Sequence, residues 1–319
     1  MNVLLIAPSF YGYHKVIQQE IERQCMACDE YLYPSGFFYS LIYIMPFFKR
    51  YYNKIRNWHL TNFLKHNKKH YDLIIVIKGS EVSCSNYLLL KQKYKNAKFV
   101  LYIWDDIALD KEELDIVKYF HRTFSYNPED CKRYNMNFRP MFFDQSRKLK
   151  SNVAKNIDLF YIGSYRPNRF KFVKRIIECA KEQIIKKKII LRCSIPYFLS
   201  RKENITYIDY FKFKSVPYND MVEMLQQSKC CLELCRPGQE SLSTRAFEAL
   251  YTRTKVITTN SSIKNYDFYN ENNILVVDEM LPNIPKGWIA QPYLELEDII
   301  LHKYSLQSFC KDLIYGDNC

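Results

Sequence analysis

Short unbroken apolar runs punctuate the chain. Val3–Ala7, Leu73–Ile77 and Phe99–Ile103 each carry no polar side chain. Runs of that length are too short for buried helices and predict strands covered on both faces. Arg122–Ser125 predicts a fourth strand. Between them apolar residues recur with a helical period over Tyr13–Gln24, Ser85–Tyr94 and Lys111–Tyr119. Asp144–Asn156 is polar and basic without any period, and is predicted to be a linker. The alternation then restarts. Strands are predicted over Leu159–Ile162, Lys188–Arg192, Ile205–Ile208, Cys230–Leu234, Val256–Thr258 and Ile274–Val277. Helices are predicted over Arg169–Ile185, Tyr218–Ser228, Thr244–Tyr251 and Leu294–Ile314. Strands alternating with helices imply parallel sheets with helices on both faces. The expected class is α/β: two Rossmann-like domains, 1–145 and 157–290, facing a cleft, then a helical segment 291–319. Ligands are expected at the carboxyl ends of the strands, so every strand-to-helix loop is a candidate site.

Composition narrows the partners. A chain of 319 residues that is 48% hydrophobic can build two cores, which excludes disordered and collagen-like classes. Lys and Arg exceed Asp and Glu by 47 to 34, so the net charge of +13 favours polyanions such as phosphorylated ligands, an anionic membrane or nucleic acid. Met1-Asn2-Val3 lacks the basic start of a signal peptide, and no apolar stretch reaches the roughly 20 residues of a spanning helix. The expected location is the cytoplasm, with peripheral contact to the inner face of its membrane. Eleven cysteines, an odd number scattered along the chain, read as reduced thiols. Cys25-x-x-Cys28 lacks the nearby second pair of a tetrahedral zinc site, so no metal is expected.

The richest local pattern is Glu233-Leu-Cys-Arg-Pro-Gly-Gln-Glu-Ser-Leu-Ser-Thr-Arg-Ala-Phe-Glu248. A strand ends, the chain turns at Arg236-Pro237-Gly238, and a helix opens near Ser241. Unpaired N–H groups and the helix dipole favour an anion there. Arg236, Gln239, Ser243, Thr244 and Arg245 surround that point. Glu240 and Glu248, eight residues apart, would hold the two ends of one hydroxyl-rich ligand; the plainer reading is a solvated acidic helix face. A second pattern, Phe160-Tyr-Ile-Gly-Ser-Tyr-Arg-Pro-Asn-Arg169-Phe-Lys171, joins a strand end to a basic helix start. Gly163 lets a ligand approach the backbone, and Arg166, Arg169 and Lys171 would neutralise a diphosphate.

These segments resemble the donor-binding region of GT-B glycosyltransferases, which carry Glu-x7-Glu in their second domain. The run through Lys255-Val-Ile-Thr-Thr-Asn260 and Asn265-Tyr-Asp-Phe-Tyr-Asn-x-x-Asn-Ile274 is similar to a bacterial lipopolysaccharide and capsule subgroup related to CgeB-like spore-coat proteins. The likeness is close over about 60 residues and architectural over the rest. It implies a nucleotide-sugar donor, a cell-surface glycan or lipid-linked acceptor, retention of configuration and no metal or other cofactor. It implies that Glu240 contacts the transferred sugar and Glu248 the ribose. Where that family continues Glu-Gly-Phe-Gly, this chain has Glu240-Ser-Leu-Ser, which brings Gln239 forward as an alternative sugar contact. Inverting relatives use a histidine base in the first loop, here Pro8-Ser-Phe-Tyr-Gly-Tyr-His14. Asp105, in Trp104-Asp105-Asp106, is the alternative base, with a helix cap at Asp106 as the plainer reading. A non-catalytic binding protein of the same fold stays open as well.

Residues 31–71 contain seven Lys or Arg and no acid: Lys49, Arg50, Lys54, Arg56, Lys65, Lys68 and Lys69, interleaved with Tyr51, Trp58, Phe63 and other aromatics. Such a mixture suits an anionic membrane surface or single-stranded nucleic acid. No nucleic-acid-binding signature accompanies it, so the membrane is the expected partner.

Overall fold

The computed structural model describes residues 1–9, 12–33, 48–236 and 239–316; the side chains of 48–50, 52 and 202–204 lie outside that description. The chain divides into two units, one of 1–140 with 306–319 and one of 141–305.

The first unit is built on β1 (Asn2–Ala7), β2 (Ala27–Leu32), β3 (Leu73–Ile77), β4 (Lys98–Ile103), β5 (Arg122–Ser125) and β6 (Asn137–Phe138). They form a parallel sheet in the order β2-β1-β3-β4-β5-β6. The apolar runs occupy its middle: Val3 pairs with Leu73, and Leu73 with Lys98. Every residue of β3 is buried, as helices on both sides of a parallel sheet require. Helix Tyr13–Gln24 covers one face beside helix Leu306–Tyr315. The latter belongs to this unit. Phe309 packs on Tyr102 at 4.8 Å between ring centroids, and Asp312 pairs with Arg139 at 3.0 Å.

The second unit contains β7 (Ile157–Ser164), β8 (Lys187–Arg192), β9 (Phe211–Lys212), β10 (Ser228–Glu233), β11 (Lys255–Thr258) and β12 (Ile274–Val276). Its sheet is also parallel, in the order β12-β11-β10-β7-β8-β9. Helices Pro167–Cys179, Tyr218–Gln226 and Thr244–Tyr251 follow β7, β9 and β10.

Four local expectations differ from the fold. Residues 205–208 are not a strand but part of a 3-10 helix, Lys202–Tyr210; Ile205 and Ile208 point to solvent, and the strand follows at β9. Ala27–Leu32 is an unpredicted strand at a sheet edge, where Asp29 and Glu30 keep contact with water and the apolar pattern breaks. The C-terminal helical run is interrupted at Tyr304–Ser305, where Phe143 pairs with Ser305, so it becomes helices Asp298–Lys303 and Leu306–Tyr315. The segment 144–156 has no helix or strand, yet it is tied to the second unit. Tyr251 donates to the Arg147 carbonyl at 2.9 Å, and Lys155 to the Thr252 carbonyl at 2.9 Å.

Candidate functional site

In the second sheet the chain runs from β7 outward through β8 to β9, then returns to β10 and runs the other way through β11 to β12. The loops leaving β7 and β10 therefore diverge. A crevice opens beyond their carboxyl ends, the usual ligand site of an open α/β sheet. Both motifs singled out in the sequence lie on these two loops.

From β7 the chain enters helix Pro167–Cys179 with Arg166 at the N-cap position and no side-chain cap. Gly163 lies inside the strand, one residue before its end. A Cβ built there would come 2.6 Å from the Tyr161 hydroxyl, so this glycine makes room for the phenol. The Tyr161 hydroxyl is buried beside the Arg169 guanidinium and, among the described residues, has no hydrogen-bond partner of good geometry. Burial raises its pKa; the Arg169 and Arg245 guanidiniums oppose that and Glu233 adds to it. Arg169 and Arg245 lie in the first turns of helices Pro167–Cys179 and Thr244–Tyr251, and the positive charge of each acts on the Tyr161 phenol. Arg169 is half-buried, whereas Arg166 and Lys171 are exposed at the helix start.

From β10 the organising group is Glu233, 1% exposed. One carboxylate oxygen accepts the Ser243 N–H at 3.0 Å and the Cys235 thiol at 2.9 Å. The other accepts the Thr258 hydroxyl at 2.7 Å. Glu233 therefore ties the ends of β10 and β11 to the start of helix Thr244–Tyr251. Asn260 closes the loop by donating to the carbonyls of Ser241 at 3.1 Å and Glu240 at 3.3 Å. Gln239 is used internally: its amide donates to the Ser241 carbonyl at 3.2 Å and accepts from the Arg236 N–H at 3.2 Å. Burial and Glu233 push the Cys235 thiol up, so it is no thiolate. Pro237 and Gly238 of the expected turn lie outside the described residues.

The two glutamates of the motif occupy different environments. Glu240 is exposed, and none of its side-chain atoms is bonded among the described residues. Glu248 is 2% exposed and pairs with Arg245 at 2.6 Å. Arg245 also reaches the Met221 sulfur. Gly163 and Arg169 thus lie on the β7 side of this divergence and Ser243 and Arg245 on the β10 side, with Glu248 held by Arg245. Arg166, Lys171, Arg236 and Glu240 stand on its exposed surroundings, and Thr244 begins the helix half-buried. Tyr161 and Glu233 were missed. A carboxylate closing the apolar run Cys230–Leu232 was the available signal for Glu233.

His14 and Asp105 belong to the first unit, whose own divergence lies between β1 and β3. Gly12, with φ 80°, turns the chain into helix Tyr13–Gln24. His14 is buried at its start, and its Nδ1 has no partner among the described residues. Burial, then Lys15, lowers its pKa, so the ring is neutral near pH 7. Asp105 is engaged by Lys78 at 2.6 Å. Lys78 has φ 55°, a left-handed conformation uncommon for a non-glycine residue. The next helix, Glu112–Ile116, has Lys111 at its N-cap, so Asp106 is not the cap that the sequence offered. Asp106 accepts from Asn127 at 2.8 Å and Tyr126 at 3.0 Å, bracing the loop from within.

The basic run 31–71 is also revised. Arg56 is 7% exposed and pairs with Glu81 at 2.8 Å, so it belongs to the interior. Residues 34–47 and the side chains of Lys49 and Arg50 lie outside the described residues. Among the described residues no cluster of His, Cys, Asp or Glu has the makings of a metal site.

No family model and no curated protein matches the chain. Among solved structures, E. coli heptosyltransferase WaaC with ADP is similar at 12% identity, with a TM-score of 0.39, over 99% of this chain and 100% of that one. A likeness that loose carries no argument about activity; the two parallel sheets establish the α/β class by themselves.

Proposed function

We propose that the chain is a glycosyltransferase that moves a sugar from a nucleotide-sugar to a cell-surface glycan or lipid-linked acceptor. The observation that carries this reading is that Arg169 and Arg245 stand in the first turns of the two helices that follow β7 and β10, where the second sheet's strand order diverges. Cations at that place suit a nucleoside diphosphate. As the bond from the sugar to the diphosphate breaks, negative charge grows on the leaving oxygen. Arg169, aided by Arg166 and Lys171 at the helix start, would stabilise it in place of a divalent ion. Glu240, exposed on the loop before helix Thr244–Tyr251, would meet sugar hydroxyls in this reading.

Retaining transfer is the reading we carry. Inversion needs an open base, but His14 is 5% exposed and Asp105 is held by Lys78. Calorimetric titration of nucleoside diphosphates and their sugars into the whole chain tests the donor site, and anomeric NMR of the product tests the stereochemistry. Binding that survives loss of both Arg169 and Arg245 would remove the assignment, and an inverted product would restore His14 or Asp105 as base.

A further inference from the structure

Helix Phe48–His66 has two faces of opposite character. Leu60 and Leu64 are buried at 1% and 3%, on the side of Arg56. Asn57 and Thr61 bind Asn86 of helix Cys84–Lys93 through bonds of 2.9 and 2.7 Å. The outward face carries Tyr51, Ile55 and Trp58, exposed at 62%, 54% and 62%. At 3.6 residues per turn these three fall within about 60° of arc. Lys54 and Lys65, both exposed, fall beside the same stripe. A soluble helix ordinarily shows water its polar side; this one shows an aromatic–aliphatic stripe, crossed by Asn62 and edged on one side by Lys54 and Lys65.

We propose that this face is a docking surface for an anionic lipid bilayer, with the helix lying in the headgroup plane. The charge selects that occupant. From 31 to 71 there is no acidic residue, so the stripe has no carboxylate of its own run to repel anionic headgroups. A second copy packed on the same stripe would bring two sets of lysines together. Trp58 and Tyr51 each have an apolar body and a polar tip, which suits the boundary between headgroups and acyl chains. None of the described helices is long and apolar enough to cross a membrane, so the attachment is to the surface. The inference stands independently of the proposed transfer reaction.

The test is sedimentation of the whole chain with vesicles of phosphatidylcholine alone and of phosphatidylcholine mixed equally with phosphatidylglycerol. Binding is expected to the mixed vesicles only, fading as salt screens the exposed charges. Emission from Trp58 should shift to the blue on binding, and Trp58→Phe should lose that shift. Lys54→Gln with Lys65→Gln should weaken binding about 25-fold, at about fivefold per cation. Ile55→Glu with Trp58→Glu should abolish it, while circular dichroism and thermal melting stay those of the wild type because the substituted side chains are exposed. Equal binding to both vesicle types would overturn the proposal. So would vesicle binding unaffected by Ile55→Glu with Trp58→Glu, self-association that this variant removes, or single-stranded RNA binding that replaces vesicle binding.

Discussion

Glu248→Gln separates a structural from a ligand-binding role for the second glutamate of the motif. The carboxylate is 2% exposed and 2.6 Å from Arg245, whose side chain keeps 20% of its surface in water. Removing one partner of a buried pair costs about 3–5 kcal/mol, because the other charge is left uncompensated. Here the glutamine keeps an acceptor oxygen near the guanidinium, and Arg245 retains some solvent. The expected loss is therefore about 2 kcal/mol. Arg245→Leu should cost more, since it strands the more deeply buried partner. The double variant should recover part of the loss, with a coupling of about 1–3 kcal/mol. Urea denaturation of the four proteins measures the cycle. Calorimetric titration of UDP and other nucleoside diphosphates into the folded variants then reads the second role. If Glu248 holds the donor ribose, Glu248→Gln weakens donor binding about tenfold, or about 1.4 kcal/mol. A coupling below about 0.5 kcal/mol would refute the structural pair. Unchanged donor affinity in the folded variant would refute the ribose contact and leave Glu248 as a brace for Arg245.

Arg169→Ala should lower turnover more than it raises the donor KM, and EDTA should leave activity intact; activity lost to EDTA and restored by Mn²⁺ would overturn the metal-free mechanism. Gly163→Ala places a methyl 2.6 Å from the Tyr161 hydroxyl and should lower the melting temperature, while adding Tyr161→Phe should restore much of it; no rescue would show that the phenol is not the obstacle. Glu113, 1% exposed in the first unit, has its pKa raised from 4.5 to about 7, chiefly by burial. The fold thus favours the protonated acid, so the contribution of Glu113 to stability is full below pH 4.5 and is lost as pH rises to about 7, by about 3 kcal/mol. Glu113→Gln should remove that part of the slope in urea unfolding across this range; an unchanged slope would refute the burial argument.

The central strands were legible in the sequence. β1, β3, β4, β7 and β10 are covered by helices, and a strand covered on both faces writes itself as a continuous apolar run. Three of the four edge strands were not; the fourth, β12, keeps the apolar run Ile274–Val276. β2 mixes Asp29 and Glu30 into its pattern, and β6 and β9 are two residues long, so hydropathy carries little trace of them. The helix start at Thr244 and the basic turn before helix Pro167–Cys179 were also visible locally, because turns and dipoles act within a few residues, although that helix begins two residues before the expected Arg169 and ends at Cys179 rather than Ile185.

Tertiary structure decided which side chains meet. Arg169 and Arg245 are far apart in sequence, and only the order β11-β10-β7-β8 brings their loops to one divergence point. Spacing offered Glu240 and Glu248 as an equivalent pair; folding left the first in water and enclosed the second against Arg245. Arg56 likewise reads as one cation among seven until Glu81 turns it inward. Periodicity records whether a residue faces solvent or core along its own element. Charge partners are set by strand order and by desolvation, which belong to the assembled chain and leave no periodic mark in it.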